Sequence, residues 1–182
     1  MHGMKSLWVL AALLVFALVT PSATAAQEDV EKHPVCKYCG VERGAFLHSR
    51  VVVVYEDGTE TGTCSIHCAA IDNVQKLDAA PISFRVADHD TGKLIDGEKA
   101  FWVIGGTDAG VMTRRPKWAF EKKEDAEKYV AAKGGDVKTF DEAMVATYED
   151  MYADTKMIRE KEKMKKTRSH ELEQQQEQRK RQ

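Results

Sequence analysis

Two short cysteine pairs, Cys36-Lys37-Tyr38-Cys39 and Cys64-Ser65-Ile66-His67-Cys68, contain every cysteine of this 182-residue chain. Any fold the chain adopts has to give those four thiols a common purpose or two separate ones. The first pair is bent back by Gly40, and two thiols at that spacing chelate one metal ion or close a small redox ring. What precedes them bears on the choice. Lys5, an apolar run from Leu7 to Val19, Pro21 and the small residues Ala23, Ala25 and Ala26 have the layout of a secretory signal peptide over residues 1–26. The run is too short for a membrane span, so membrane contact is expected to be transient, with cleavage near Ala25 or Ala26. In an exported chain an even number of thiols is by default a set of disulfides, and a metal site has to be weighed against that plainer reading.

The residues left after cleavage amount to one domain's core, or two small lobes sharing one. Charge is uneven. From Arg159 to the end there are nine Lys/Arg against five Asp/Glu, whereas residues 27–158 carry a net charge of −7. An acidic body argues against nucleic acid as a partner, since phosphate binding needs the opposite sign.

Residues 27–34 are polar and read as a flexible leader. Arg50 to Tyr55 is a β-branched run with the character of a strand covered on both faces. Asp57-Gly58 supplies a hairpin turn, Glu60 to Thr63 returns, and a helix follows with Thr63 as N-cap and Ile66, Ala70, Val74 and Leu77 along its buried stripe. Ile82 to Ala87 alternates like a strand. The order then recurs: a strand at Ala100 to Ile104, a turn, a return strand from Val111 to Thr113 resuming at Trp118 to Phe120, a helix from Glu124 to Lys133 stopped by Gly134-Gly135, and a strand from Asp136 to Phe140. The expected fold is therefore α+β: two tandem ββαβ units sharing a core, at about residues 36–98 and 99–142. Residues 143–182 follow as an amphipathic helix and a charged tail, either a solvated helix or disordered. Met144, Met151, Met157 and Met164 recur at helical spacing. They are better read as a packing stripe than as a thioether ladder for a soft metal.

On the expected helix, Cys64 and Cys68 share a face with Ile71, about 200° from the apolar stripe. That placement turns the thiols away from the core, and a thiol in the first helical turn is favoured as thiolate. Three readings remain open on spacing alone: disulfides, a four-thiolate Zn(II) site, and a Cu(I) site using two or three sulfurs of cysteine and methionine. Haem attachment is excluded, because Gly40 and Ala69 stand where histidine is required. Among the histidines, His67 is expected to face solvent or a ligand's far side, His33 to cap the first motif, His48 to approach it, and His89 to sit in a turn. Arg114-Arg115-Pro116 reads as a docking patch or a solvated loop.

Cys36-Lys37-Tyr38-Cys39-Gly40, followed by Ala100-Phe101-Trp102-Val103-Ile104-Gly105-Gly106 leading to Met112, resembles the NosL family of nitrous oxide reductase accessory proteins. Phe120 to Ala126 and Gly134-Gly135-Asp136-Val137 are similar to that family's last helix and strand, and the resemblance runs from about Cys36 to Glu142. It implies a pair of ββαβ units in a periplasmic Cu(I)-binding protein, which delivers copper during assembly of the nitrous oxide reductase clusters. By position it implies Cys36, Cys39 and Met112 as sulfur ligands. Val41 stands where the family carries methionine, and Cys64 and Cys68 are additions able to replace that thioether.

The resulting expectation is an exported, non-catalytic Cu(I) carrier with Cys36, Cys39, Cys64, Cys68 and Met112 as its sulfur set. Its partner would be a copper-requiring apoprotein or copper-site assembly protein, and a homodimer is compatible with the chain. The rivals are a module stabilised by Zn(II) or disulfides, and a thiol enzyme pairing two cysteines with a carboxylate such as Asp72.

Overall fold

The computed structural model describes residues 28–181, so the expected signal peptide and cleavage point lie outside the described residues. The valine run forms β1 (Val51–Tyr55), a central strand whose Val51, Val52, Val53 and Tyr55 are all buried. Gly58, at φ +81°, turns the chain into β2 (Glu60–Thr63). Helix α2 (Ile66–Gln75) crosses to β3 (Pro81–Ala87), which pairs antiparallel with the other edge of β1. A short strand absent from the sequence reading, β4 (Leu94–Asp96), completes a sheet of order β2-β1-β3-β4.

The same plan repeats as β5 (Phe101–Ile104), β6 (Lys117–Phe120), α3 (Lys123–Lys133) and β7 (Asp136–Lys138), in the order β6-β5-β7. In both units the first strand is central and its two successors flank it antiparallel. The return strand expected at Val111 to Thr113 does not form. Met112 takes a left-handed φ of +59°, and a Cβ on Gly110 would stand 2.6 Å from the Thr113 carbonyl oxygen, so the backbone is folded too tightly there for an extended ladder.

Strand alternation divides the interior into two layers. Trp102 and Ala119 point into a cluster with Val51, Val53, Ile66, Phe84 and Phe140. Their neighbours Val103, Trp118 and Phe120 point into another, with Cys36, Cys64 and Cys68. Both clusters draw on both units, so the core is shared. The chain ends in one continuous helix, α4 (Phe140–Lys180), started by a Thr139/Glu142 capping box. Its first turns bury Phe140, Ala143 and Met144; from Arg159 onward every described residue is exposed. The methionines are split along it, Met144 buried and Met164 64% exposed, as in a packing helix that runs off the body. Among the described residues no helix is long and apolar enough to cross a membrane.

The stretch expected as a flexible leader is ordered. Glu28–Lys32 forms a short helix, α1, whose buried Asp29 receives Arg43 Nη2 at 2.7 Å and Arg50 Nε at 3.0 Å. Both arginines are fully buried, which is tolerable only because a carboxylate and backbone carbonyls surround them. Burial by itself would raise the Asp29 carboxyl, but hydrogen bonds and charge from Arg50 and Arg43 outweigh it and hold the group below its ordinary value of 3.8. The stabilisation this carboxylate supplies is complete above that unfolded value and is lost as pH falls below it. Asp29→Asn is expected to cost about 3–5 kcal/mol in urea unfolding at neutral pH, and to flatten the acid limb of the stability–pH curve measured by circular dichroism.

Candidate metal centre

Cys36 opens a tight loop. Its N–H donates to Val41 O at 2.8 Å, the Gly40 N–H donates back to Cys36 O at 3.0 Å, and Gly40 turns at φ +72°. The two residues between the thiols are pinned to α2, where Asp72 Oδ1 accepts from Lys37 Nζ at 3.2 Å and from the Tyr38 hydroxyl. Asp72 Oδ2 accepts from Tyr55 of β1. Asp72 is wholly buried; burial would raise its pKa, but these donors lower it below the ordinary carboxylate range. It is a clamp joining loop, strand and helix, committed on both oxygens, and not the free acid that the thiol-enzyme reading requires. Its signal in the sequence was the i, i+4 spacing from Cys68, which puts it one turn further along the same helix face.

Cys64 does not belong to the helix. Ser65 is the N-cap and α2 starts at Ile66, so the expected first-turn stabilisation of a Cys64 thiolate is absent. The cysteine stands in the bend just after β2 instead, with its carbonyl held by Ser49 Oγ at 2.8 Å and that of Thr63 held by Arg43 Nε at 3.0 Å. Nor do Cys64 and Cys68 face away from the core. Both are at most 1% exposed, because the second unit supplies a further layer, Val103, Trp118 and Phe120, on the side opposite the first sheet. A face opposite the apolar stripe points outward only when a helix is covered from one side. The stripe itself is shorter than expected: Ile66, Ala69 and Ala70 are buried, whereas Val74 and Leu77 are exposed.

The four cysteines meet. Their Sγ atoms all lie within 4.8 Å of one another, with Cys39 to Cys64 at 3.4 Å and Cys64 to Cys68 at 3.8 Å, and all four are free thiols. Sulfurs arranged tetrahedrally about a metal at about 2.3 Å are roughly 3.8 Å apart, so the nest has the dimensions of a single ion. Hydrogen bonds from Cys39, Cys64 and Cys68 push the Cys36 thiol far below its ordinary value. The bonds to Cys36, Cys39 and Cys64 push Cys68 well above its own. Cys39 is likewise held below its ordinary value and Cys64 above it, so the cluster accepts negative charge at Cys36 and Cys39 and resists it at Cys64 and Cys68.

Three thiols are sealed and Cys39 is half-buried. Cys39 and Cys68 line a cleft of about 320 Å³ together with Met112, Ile71 and, from α4, Thr155 and Ile158. Met112 thus stands beside the four-thiol nest, across the cleft mouth. The histidines take other places. His67 is 2% exposed rather than solvated, with Nδ1 3.6 Å from Asp154 Oδ2. The His48 ring packs on His89 and Trp118, and His33 Nε2 lies 3.5 Å from Glu60. In the arginine loop Arg114 is exposed, whereas Arg115 Nε and the following Lys117 Nζ bind Asp150 of α4 at 2.8 and 2.7 Å.

The family model that matches this chain is NosL, over residues 27–148. The chain belongs to the NosL family. Among solved structures, the copper chaperone NosL from Shewanella denitrificans is similar at 19% identity, over 59% of this chain and 87% of that one, with a TM-score of 0.48. No curated protein sequence matches. Within this NosL-family chain the matched segment contains all four cysteines and Met112, and it ends one turn before Met151 of α4. Limited alkylation of the reduced, metal-free protein is expected to label Cys39 first, with Cys36, Cys64 and Cys68 modified only on unfolding. Peptide mass spectrometry reads the order.

Proposed function

We propose that this protein carries Cu(I) in the periplasm and releases it to a copper-requiring partner, the client being the copper-cluster assembly of nitrous oxide reductase. The observation that carries the reading is the convergence of four thiols at a seam between two half-domains, with Cys39 and Cys68 lining a cleft that Met112 also lines. Thiolate and thioether donors are soft and select Cu(I); among the described residues no carboxylate or imidazole joins the nest to favour a harder ion. Membership of NosL supports the same metal. Cys36, Cys64 and Cys68 would hold the ion out of water, while Cys39 and Met112, at the cleft, would exchange with the receiving protein's donors. Low-coordinate exchange of this kind suits a carrier and asks for no catalysis.

Four thiolates also satisfy tetrahedral Zn(II), so the test has to separate the metals. The reduced mature protein is titrated anaerobically with Cu(I) against a competing chelator, and separately with Zn(II). Cys36→Ser and Cys64→Ser are each expected to weaken Cu(I) binding by on the order of tenfold or more. Met112→Ala is expected to weaken or speed the release of Cu(I) while leaving Zn(II) unchanged, since Zn(II) makes little use of thioether. Native affinity in all three variants removes the site.

A further inference from the structure

The NosL match stops at residue 148, yet α4 runs on to Lys180, and the added length builds one wall of the sulfur cleft through Thr155, Ile158, Arg159 and Glu162. A single carboxylate fastens that wall. Asp154 is 2% exposed, and its Oδ1 accepts the Arg114 N–H at 3.0 Å, two residues beyond Met112. Its Oδ2 faces Nδ1 of His67, the residue before Cys68, at 3.6 Å, and neither of these two atoms has another hydrogen-bond partner. Asp154 therefore touches the loop carrying Met112, the helix carrying Cys68, and the helix that walls the cleft. One turn earlier, Arg115 and Lys117 hold Asp150, and from Arg159 on α4 is bare. Beyond Asp150, the wall is held by the buried polar contacts of Asp154 and by the half-buried Met151, Thr155, Met157 and Ile158.

We propose that residues 154–162 of α4 are a cover over the sulfur site and that Asp154 is the positioning residue that latches it. The proposal rests on the carrier reading above. The cover sets how fast the metal and the partner's donor reach Cys39, not how tightly the ion is held. A cover that has to open for entry and for exit scales both rates by the same open fraction and leaves their ratio alone. One good hydrogen bond and one long contact make such opening accessible without unfolding the body.

The test uses the full mature chain, reduced and anaerobic. Stopped-flow measures Cu(I) uptake and its removal by a bathocuproine-type chelator. Asp154→Ala is expected to speed both by on the order of tenfold, the factor that losing one charge-assisted hydrogen bond gives an opening equilibrium, with Kd within about twofold. Asp154→Asn keeps an acceptor for the Arg114 N–H and brings an amide donor to His67, and should stay near native rates. The double variant Ile158→Ala/Glu162→Ala trims the cover without touching the latch and should move both rates the same way, which decides the matter if Asp154→Ala folds poorly. In the metal-free protein, maleimide labelling of Cys39 should accelerate in parallel. Faster labelling in a protein that takes no Cu(I) would sink the carrier reading and keep the cover. Copper binding with native exchange and labelling rates in every variant, or a weakened Kd with unchanged uptake, overturns the cover.

Discussion

The Arg43 guanidinium is the contact on which the rest of the architecture depends. Wholly buried, it donates to Asp29 Oδ2, to the carbonyls of Asp29, His33 and Val51, and through Nε to that of Thr63. It therefore joins α1, the stem of the first cysteine loop, β1 and the end of β2. A charged group in that position would be prohibitive without its full set of acceptors, and the five donors of a planar guanidinium match them in a way no ammonium would. Gly62 completes the junction, since a Cβ there would fall 2.3 Å from that of His33. The backbone approach and the guanidinium together bring Cys36 next to Cys64.

Burial and exposure within the sulfur nest answer opposite demands. A thiol cluster is protected from oxidation by being sealed, and three of the four sulfurs are. A site sealed on all sides could not pass its ion on. Cys39 resolves the conflict because its loop is clamped to α2 through the neighbouring Lys37 and Tyr38 at Asp72, leaving the fourth sulfur at the cleft. The nest is consequently enclosed by α2 and the second sheet, and reached through the cleft that α4 walls.

Much of the fold was legible because it is local. The Val51–Val54 run, the Asp57-Gly58 turn and the Gly134-Gly135 stop announce themselves within a few residues, and the ββαβ order could be seen to recur from them. What escaped depended on distant partners. Asp29 looks like any residue of a polar leader until Arg43 and Arg50 are known to be buried beside it. Cys64 and Cys68 were assigned to the open face of a helix because nothing local reveals that Trp118 and Phe120 of the other unit cover that face. Cysteine identity and spacing singled out two separate pairs; that all four share one point in space is a property of the tertiary packing. Asp154 carried no signal at all, since a lone aspartate on a charged helix is ordinarily solvated.

The long helix shows how one element serves two ends of a structure. Its first turns fill the shared core with Phe140, Ala143 and Met144, and so are fixed by the same hydrophobic burial that holds the two sheets together. Its middle is fastened by charge, through Asp150 and Asp154, to the loop between β5 and β6. Hydrophobic burial is non-directional and cumulative, whereas these buried polar contacts are few and each is separable. Stability is thereby concentrated at the start of α4 and adjustability further along, where the helix passes the sulfur cleft. The nest takes its thiols from the first unit, its neighbouring thioether from a loop of the second, and its outer wall from a helix that follows both. Any motion of the second unit's loop against α4 therefore reshapes the cleft that Cys39 and Cys68 line, and leaves Cys36 and Cys64 behind it.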